Sequence, residues 1–281
     1  MDTRAIGVFD SGLGGLTAVK QLHRLAPQEN VVFFGDTARV PYGTRPAQTI
    51  VRYALEDLSF LLTFDIKLII AACGTVSSTL PRRYTEALPV PFVDVIGPTA
   101  RAAAAATANG KIGVLGTPAT IRSGSFVREL ESIDSRLAVT AQACPLFVPL
   151  VENGYTARDC EVTRLVAREY LEPLMQTGVD TIILGCTHYP IIKGVIADIV
   201  GEKVTLIDSG RETARYALEL LNKSDSCGGE GKLDFYTSDQ GDGFENSAEL
   251  FLGYSLGAGA RKADLQRIDL HPCFGLAGGN P

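Results

Sequence analysis

Short apolar, β-branched runs recur along the chain at Ala5-Phe9, Val31-Gly35, Lys67-Ala71, Lys111-Leu115, Ala138-Ala143, Asp180-Leu184 and Lys203-Ile207. Between them the apolar positions widen to helical spacing. Leu55, Leu58, Leu61 and Leu62 do so within Ala47-Leu62, and Leu165, Val166 and Leu171 within Ala157-Thr177. Strands alternating with helices predict an α/β fold of mostly parallel sheets with helices on both faces. Pro81, Pro89, Pro91 and Pro98 punctuate one stretch, and Ser224-Gly231 reads as a polar loop. Later segments read as a strand over Lys232-Thr237, a helix over Ser247-Leu252 and a frayed end over Gly275-Pro281.

The pattern repeats weakly. Ile6-Gly7-Val8 opens a unit whose later strand runs into Cys73, and Ile112-Gly113-Val114 opens another whose later strand runs into Cys186. The cysteine follows its isoleucine by 67 positions in the first unit and by 74 in the second. Two pseudo-symmetric α/β lobes account for this, residues 1–96 with 208–281 forming the first and 97–207 the second. Chance similarity between short Ile-rich strands is the alternative. Open α/β sheets bind ligands beyond the carboxyl ends of their strands. Two such lobes facing one another bring both cysteines to one cleft.

Bulk properties narrow the function classes. The chain has 281 residues, 46% of them hydrophobic and 21% charged, enough for two ordinary cores. A net charge of -6 argues against a phosphate-binding surface and so against nucleic acid as a partner. Leu68-Cys73 is far shorter than the roughly 20 apolar residues of a membrane-spanning helix. The first residues lack the basic start and apolar core of a signal peptide, which suggests the cytoplasm. There, six scattered cysteines stay reduced, and each is read for packing or reactivity.

Candidate chemistry gathers at strand ends. Asp10-Ser11-Gly12-Leu13-Gly14-Gly15 follows a strand and opens a helix, where backbone amides cradle anions. A tight turn needing glycine explains it equally well, except that Asp10 adds a carboxylate suited to a substrate ammonium. Cys73 stands at a comparable turn, where a helix start lowers a thiol pKa; the alternative is a buried core thiol. Cys186 shares that strand-end position and has His188, one of only three histidines, two residues on. A disulfide between the two is disfavoured by compartment, and a zinc site lacks CxxC pairs. Cys144, Cys160, Cys227 and Cys273 read as packing or surface thiols, and His23 and His271 as structural or solvated. Two facing thiols suit inversion of a carbon centre, one removing a proton and the other delivering one. Pyridoxal phosphate requires a Schiff-base lysine. Lys67, Lys111, Lys203 and Lys232 stand at the wrong strand ends and Lys193 inside a helix, so a route without cofactor or metal is favoured.

The succession Asp10-Ser11-Gly12 to Gly15, Pro41-Tyr42-Gly43, Ala72-Cys73 with Thr75, and Gly185-Cys186-Thr187-His188-Tyr189-Pro190 resembles the motif series of glutamate racemases, within the aspartate/glutamate racemase superfamily. The resemblance spans about Ile6 to Gly253. It implies that Cys73 is the base acting on D-glutamate and Cys186 the base acting on L-glutamate, each the acid for the reverse direction. It further implies substrate contacts from Asp10, Ser11, Tyr42, Gly43, Gly74, Thr75, Thr187 and His188, with Asp10, Asp36, Glu152 and His188 assisting the thiols. D-glutamate for peptidoglycan and a homodimer are implied as well. One departure stands out. The family usually carries Asn after the first cysteine, and position 74 is Gly. An unmatched polar substrate group costs about 1 to 3 kcal/mol, so weaker glutamate binding is expected. The alternatives are a related racemase or isomerase acting on aspartate or another acidic substrate, and a catalytically silent binding relative.

Overall fold

A computed structural model describes residues 2–221, 230–240, 244–256 and 259–275. In chain order the first elements are β1 (Ala5–Asp10), α1 (Leu16–Leu25), β2 (Val31–Gly35), α2 (Ala47–Leu61), β3 (Ile66–Ala71), α3 (Gly74–Thr79), α4 (Arg82–Glu86), β4 (Phe92–Val93) and α5 (Ile96–Ala106). There follow β5 (Lys111–Gly116), α6 (Pro118–Ser123), α7 (Ser125–Ile133), β6 (Ala138–Ala143), α8 (Phe147–Glu152), α9 (Glu161–Gln176), β7 (Thr181–Leu184), α10 (Lys193–Val200), β8 (Thr205–Asp208), α11 (Ser209–Leu220), β9 (Leu233–Thr237), α12 (Phe244–Leu252) and β10 (Arg261–Lys262).

The strands form two parallel sheets, ordered β10-β9-β2-β1-β3-β4 and β6-β5-β7-β8. Parallel strands require crossovers, which the intervening helices supply. The repeat read in the sequence is visible in the pairing. β1 lies beside β3, with Ile6 opposite Leu68, and β5 lies beside β7, with Ile112 opposite Thr181. Asp10 and Cys73 therefore emerge at neighbouring strand ends, as do Thr117 and Cys186. β1, β2 and β3 are buried along their whole length, as strands covered on both faces must be. One apolar core runs through both sheets, joining Ile6, Val8, Leu16 and Leu22 to Leu115, Phe147, Ile182 and Tyr189.

The sequence reading needs local corrections. The helix expected from Ala157 begins at Glu161, because the Thr163 hydroxyl donates to Tyr155 O at 2.7 Å and holds the preceding residues in a turn. The strand expected from Lys203 begins where Thr205 pairs with Thr181 and reaches Asp208. The helix expected over Ser247-Leu252 starts at Phe244. The expected loop Ser224-Gly231 lies outside the described residues except for Glu230 and Gly231, and so does the expected frayed end except for Gly275.

Candidate active site

Two sets of strand ends face each other across a cavity of about 320 Å³, at the small end of ligand-binding pockets. From the first sheet come Ser11, Tyr42, Gly43, Cys73, Gly74 and Thr75, and from the second Glu152, Cys186, Thr187 and His188. These are the residues singled out in the sequence, apart from Asp10 and Asp36, which lie behind the wall.

Cys73 caps α3 and is buried. Its sulphur lies 3.2 Å from the Ser11 hydroxyl. Burial pushes its thiol up to about 12, the Asp10 charge adding to the effect and the Ser11 hydrogen bond opposing it. Of the two sequence readings, a thiol acidified at a helix start and a buried thiol, this is the second: desolvation and a nearby carboxylate outweigh the turn of helix. Asp10 is itself inaccessible. Its Oδ2 accepts the Gly12 N–H at 2.9 Å, while Oδ1 has no hydrogen-bond partner among the described residues. Burial raises the Asp10 carboxyl, and the charge of His188 works against that rise.

On the opposite wall, Cys186 Sγ lies 3.8 Å from His188 Nδ1, and His188 Nε2 lies 3.1 Å from Glu152 Oε1. Burial disfavours the charged imidazole, but the bonds to Cys186 and Glu152 prevail and hold its pKa up to about 10. The ring is therefore a cation at neutral pH, standing beside the Cys186 sulphur. It packs against the edge of Phe251 from α12, with centroids 4.9 Å apart.

Asp36 sits elsewhere. Its carboxylate is engaged by the Tyr42 hydroxyl, by Arg39 Nε at 2.6 Å and by the Ser238 hydroxyl at 2.8 Å. It anchors the segment that carries Tyr42 and Gly43 rather than touching a thiol.

Sequence reasoning missed several members of the site. Thr75 and Thr117 are 3.1 Å apart across the cavity, and Thr117 is 3.0 Å from Thr120, so a chain of hydroxyls links the two lobes. Thr117 follows β5 as Ser11 follows β1, a correspondence the internal repeat contained. Cys144, read as a packing or surface thiol, is buried yet contributes to the cavity wall. Its thiol is raised by burial and by the proximity of Cys186. Asp57, inaccessible on α2, bonds Arg39 at 2.9 Å and Tyr42 at 3.2 Å.

The position at 74 also differs from expectation. A Cβ on Gly74 would overlap the Gly185 carbonyl oxygen, so the space in which an Asn side chain would begin is filled by backbone. Among the described residues no group of three His, Cys, Asp or Glu side chains is arranged to hold a metal. No helix among them is long and apolar enough to cross a membrane.

The family model for Asp/Glu/Hydantoin racemase matches residues 6–217. A glutamate racemase of Geobacter metallireducens is 47% identical over 260 residues, covering 92% of this chain and 96% of that one. Among solved structures, a glutamate racemase isoform of Bacillus anthracis superposes with a TM-score of 0.88 at 36% identity, covering 94% of this chain and 99% of its own. A glutamate racemase of Francisella tularensis in complex with D-glutamate gives 0.86 at 35% identity, with the same coverage.

Proposed function

The chain belongs to the Asp/Glu/Hydantoin racemase family, and we propose that it interconverts L- and D-glutamate by two-base proton transfer, with no cofactor, supplying D-glutamate for peptidoglycan. The observation that carries this reading is the arrival of two thiols, Cys73 and Cys186, from opposite sheets at one small cavity. Glutamate racemases 41–47% identical over most of the chain support glutamate as the substrate.

In the L-to-D direction the Cys186 thiolate removes the α-proton, and the Cys73 thiol delivers its proton to the opposite face. Cys186 is left protonated and Cys73 as the thiolate, ready for the reverse reaction. The raised Cys73 thiol suits the role of proton donor, and the His188 cation suits a neighbour that starts as an anion. Negative charge developing on the substrate carboxylate needs fixed donors in a water-poor site; the hydroxyls of Ser11, Thr75, Thr117 and Thr187 meet that need. Asp10, buried behind the cavity wall, acts through its charge on Cys73 rather than by touching the substrate. Asp36 acts through Tyr42 and Gly43, and Glu152 through His188.

The lobe division, 1–96 with 208–281 and 97–207, is supported by the distribution of strands between the sheets. We extend the proposal to a homodimer in the cytoplasm. The five described cysteines are all free, as a reducing compartment would keep them. Val162 and Leu165, exposed apolar side chains one turn apart on α9, support a second copy.

The test is incubation with L-glutamate, and separately L-aspartate, in deuterated water without added cofactor, following enantiomers by chiral chromatography and α-deuterium by NMR. Conversion of glutamate with deuterium in the product is expected. No exchange with glutamate would reject the proposal.

A further inference from the structure

The imidazole of His188 follows β7 of the second sheet, yet two of its contacts come from elements that flank the first. Gly14, between β1 and α1, comes so close that a Cβ there would lie 2.8 Å from ring atoms Nδ1 and Cε1. Phe251, in the last turn of α12, supplies the other, its ring T-shaped to the imidazole at 75° with centroids 4.9 Å apart. α12 packs on α1, and its buried face is Ala248, Phe251 and Leu252. Such a stripe is what an amphipathic helix needs for its core contact. Phe251 in addition reaches a side chain that lines the cavity, while standing behind the wall itself.

The polar bonds of the imidazole leave its tilt unset. Glu152 lies 3.1 Å from Nε2, but its side chain is 48% exposed and follows the ring if the ring turns. Nδ1 has two competing neighbours, the Cys186 sulphur at 3.8 Å and the Thr187 hydroxyl at 3.3 Å. A small rotation about the last side-chain torsion decides between them, and that torsion is intrinsically broad in histidine. Packing must therefore make the choice. Phe251 carries no polar or ionisable atom, so what it contributes is shape.

Resting on the racemase reading above, we infer that Phe251 is a positioning residue: it holds the His188 ring turned toward Cys186 rather than Thr187, and so keeps Nδ1–H on the thiolate that removes the α-proton of L-glutamate. A hydrogen bond with both partners ionised is far stronger than a neutral one, so losing it falls on the step in which Cys186 is the anion. Cys73 is held separately, by Ser11 on the opposite wall. The contact thus serves one face of the substrate, which distinguishes it from packing that merely stiffens the fold.

The experiment places Phe251→Leu, which keeps an apolar side chain in the core but removes the ring, in the wild type, in Cys73→Ser and in Cys186→Ser. Misplacing a reacting group by about 1 Å costs on the order of 100-fold, and the smaller tilt expected here should lower kcat for inversion about tenfold. KM should move by no more than about threefold, because the substrate contacts are kept. In Cys73→Ser, α-proton exchange of L-glutamate in deuterated water runs through Cys186 and should fall by about the same tenfold. In Cys186→Ser, exchange of D-glutamate through Cys73 should be unchanged. Equal losses on the two faces would make Phe251 a packing residue only and overturn the inference, as would no loss on either. A second arm needs no substrate. NMR titration of isotope-labelled protein follows the His188 ring, told from His23 and His271 by its absence in His188→Gln. In Phe251→Leu its pKa should fall from about 10 toward the ordinary value as the ring leaves Cys186, while Glu152 and Asp10, the carboxylates whose charges reach the ring, are both retained. An unmoved or higher pKa rejects the inference even if the wild type fails to racemise glutamate, a failure that counts against the functional reading alone. Should Phe251→Leu not fold, Phe251→Met fills more of the same space with a flexible chain in place of a flat ring. The same one-sided loss and the same fall in pKa are expected of it, and the absence of either contradicts the inference.

Discussion

The carboxyl groups of Asp36 and Asp57, neither reachable by solvent, converge on one phenol, the hydroxyl of Tyr42. Arg39 closes the group by bonding both carboxylates and Glu56. Burial, and the charge of Asp36 beside it, raise the Asp57 carboxyl well above the ordinary carboxylate range, while Arg39 works against that rise. The cluster holds the backbone of Tyr42 and Gly43 against the cavity.

Asp57→Asn is expected to keep stability and activity close to wild type, because the amide has the shape of the carboxyl and still reaches Arg39 and Tyr42. Asp57→Leu removes a partner from Arg39 and Tyr42 inside the protein and should cost about 3 kcal/mol. It should also raise KM for glutamate as the Tyr42-Gly43 segment loosens. Urea unfolding and steady-state kinetics check both. Equal destabilisation by Asn and Leu would mean that the cluster depends on charge rather than on the hydrogen bonds an amide can keep.

Cys73→Ser and Cys186→Ser should each lower inversion by roughly 100- to 10,000-fold, the range for loss of one proton-transfer group. Deuterium exchange should become one-sided: Cys73→Ser still exchanges the α-proton of L-glutamate through Cys186, and Cys186→Ser that of D-glutamate through Cys73. The enantiomers have equal free energy, so kcat/KM for the two directions must fall together. Only exchange can separate the two faces. Full inversion by either variant would remove the two-thiol assignment.

Cys144 shares the cavity wall but no step of the reaction. Its buried thiol bonds the Gln142 carbonyl at 3.7 Å, and its own carbonyl accepts from Tyr189 at 3.1 Å. Cys144→Ala keeps the second of these and should lose about 1 kcal/mol of stability from the small void, leaving kcat within about threefold of wild type. A hundredfold loss of kcat in a folded variant would place Cys144 in the chemistry.

The His188 pKa carries a stability consequence with a definite sign. It rises from about 6.5 unfolded to about 10 folded, so the folded state binds the proton more tightly. The resulting stabilisation is complete below about pH 6.5 and is lost as pH climbs toward 10. Denaturant unfolding of wild type and His188→Gln should therefore show a stability difference that narrows steadily from pH 6 to 10. A difference that stays constant or widens would show that the imidazole is neutral in the folded protein.

Much of this was legible in the sequence for identifiable reasons. Strands buried on both faces read as unbroken apolar runs, which is why β1, β3 and β7 and the pairing of Cys73 with Cys186 could be anticipated. What escaped depends on distance across the fold. Asp57 lies on the buried face of α2 among Ala54, Leu55, Leu58 and Leu61, and nothing local reveals that Arg39 and Tyr42 reach it. The two-residue strand β4 and the terminal strand β10 are too short for periodicity to register. For Cys73 the sequence left a thiol acidified at a helix start and a buried thiol side by side, because the helix start is local whereas the depth of burial and the neighbouring Asp10 are set by the fold. At position 74 the sequence suggested an absent amide, and only the approach of Gly185 shows why a side chain has no room.

Gly14, in the turn between β1 and α1, packs against Thr187 and His188 of the opposite wall. An added Cβ would lie 2.8 Å from the His188 ring atoms and closer still to the Thr187 hydroxyl. These are side chains and can yield, unlike the carbonyl facing Gly74, but yielding has consequences. Moving the ring strains the bonds to Cys186 at 3.8 Å and Glu152 at 3.1 Å, which are what hold the imidazole charged. Gly14→Ala should therefore cost about 1 to 3 kcal/mol of stability, as overpacking does. It should also bring the His188 pKa down from about 10 toward its ordinary value. The pKa shift separates this account from simple crowding. NMR titration of the His188 ring in Gly14→Ala reads it directly, and an unmoved titration with lowered stability would mean that the contact yields without disturbing the His188 bonds.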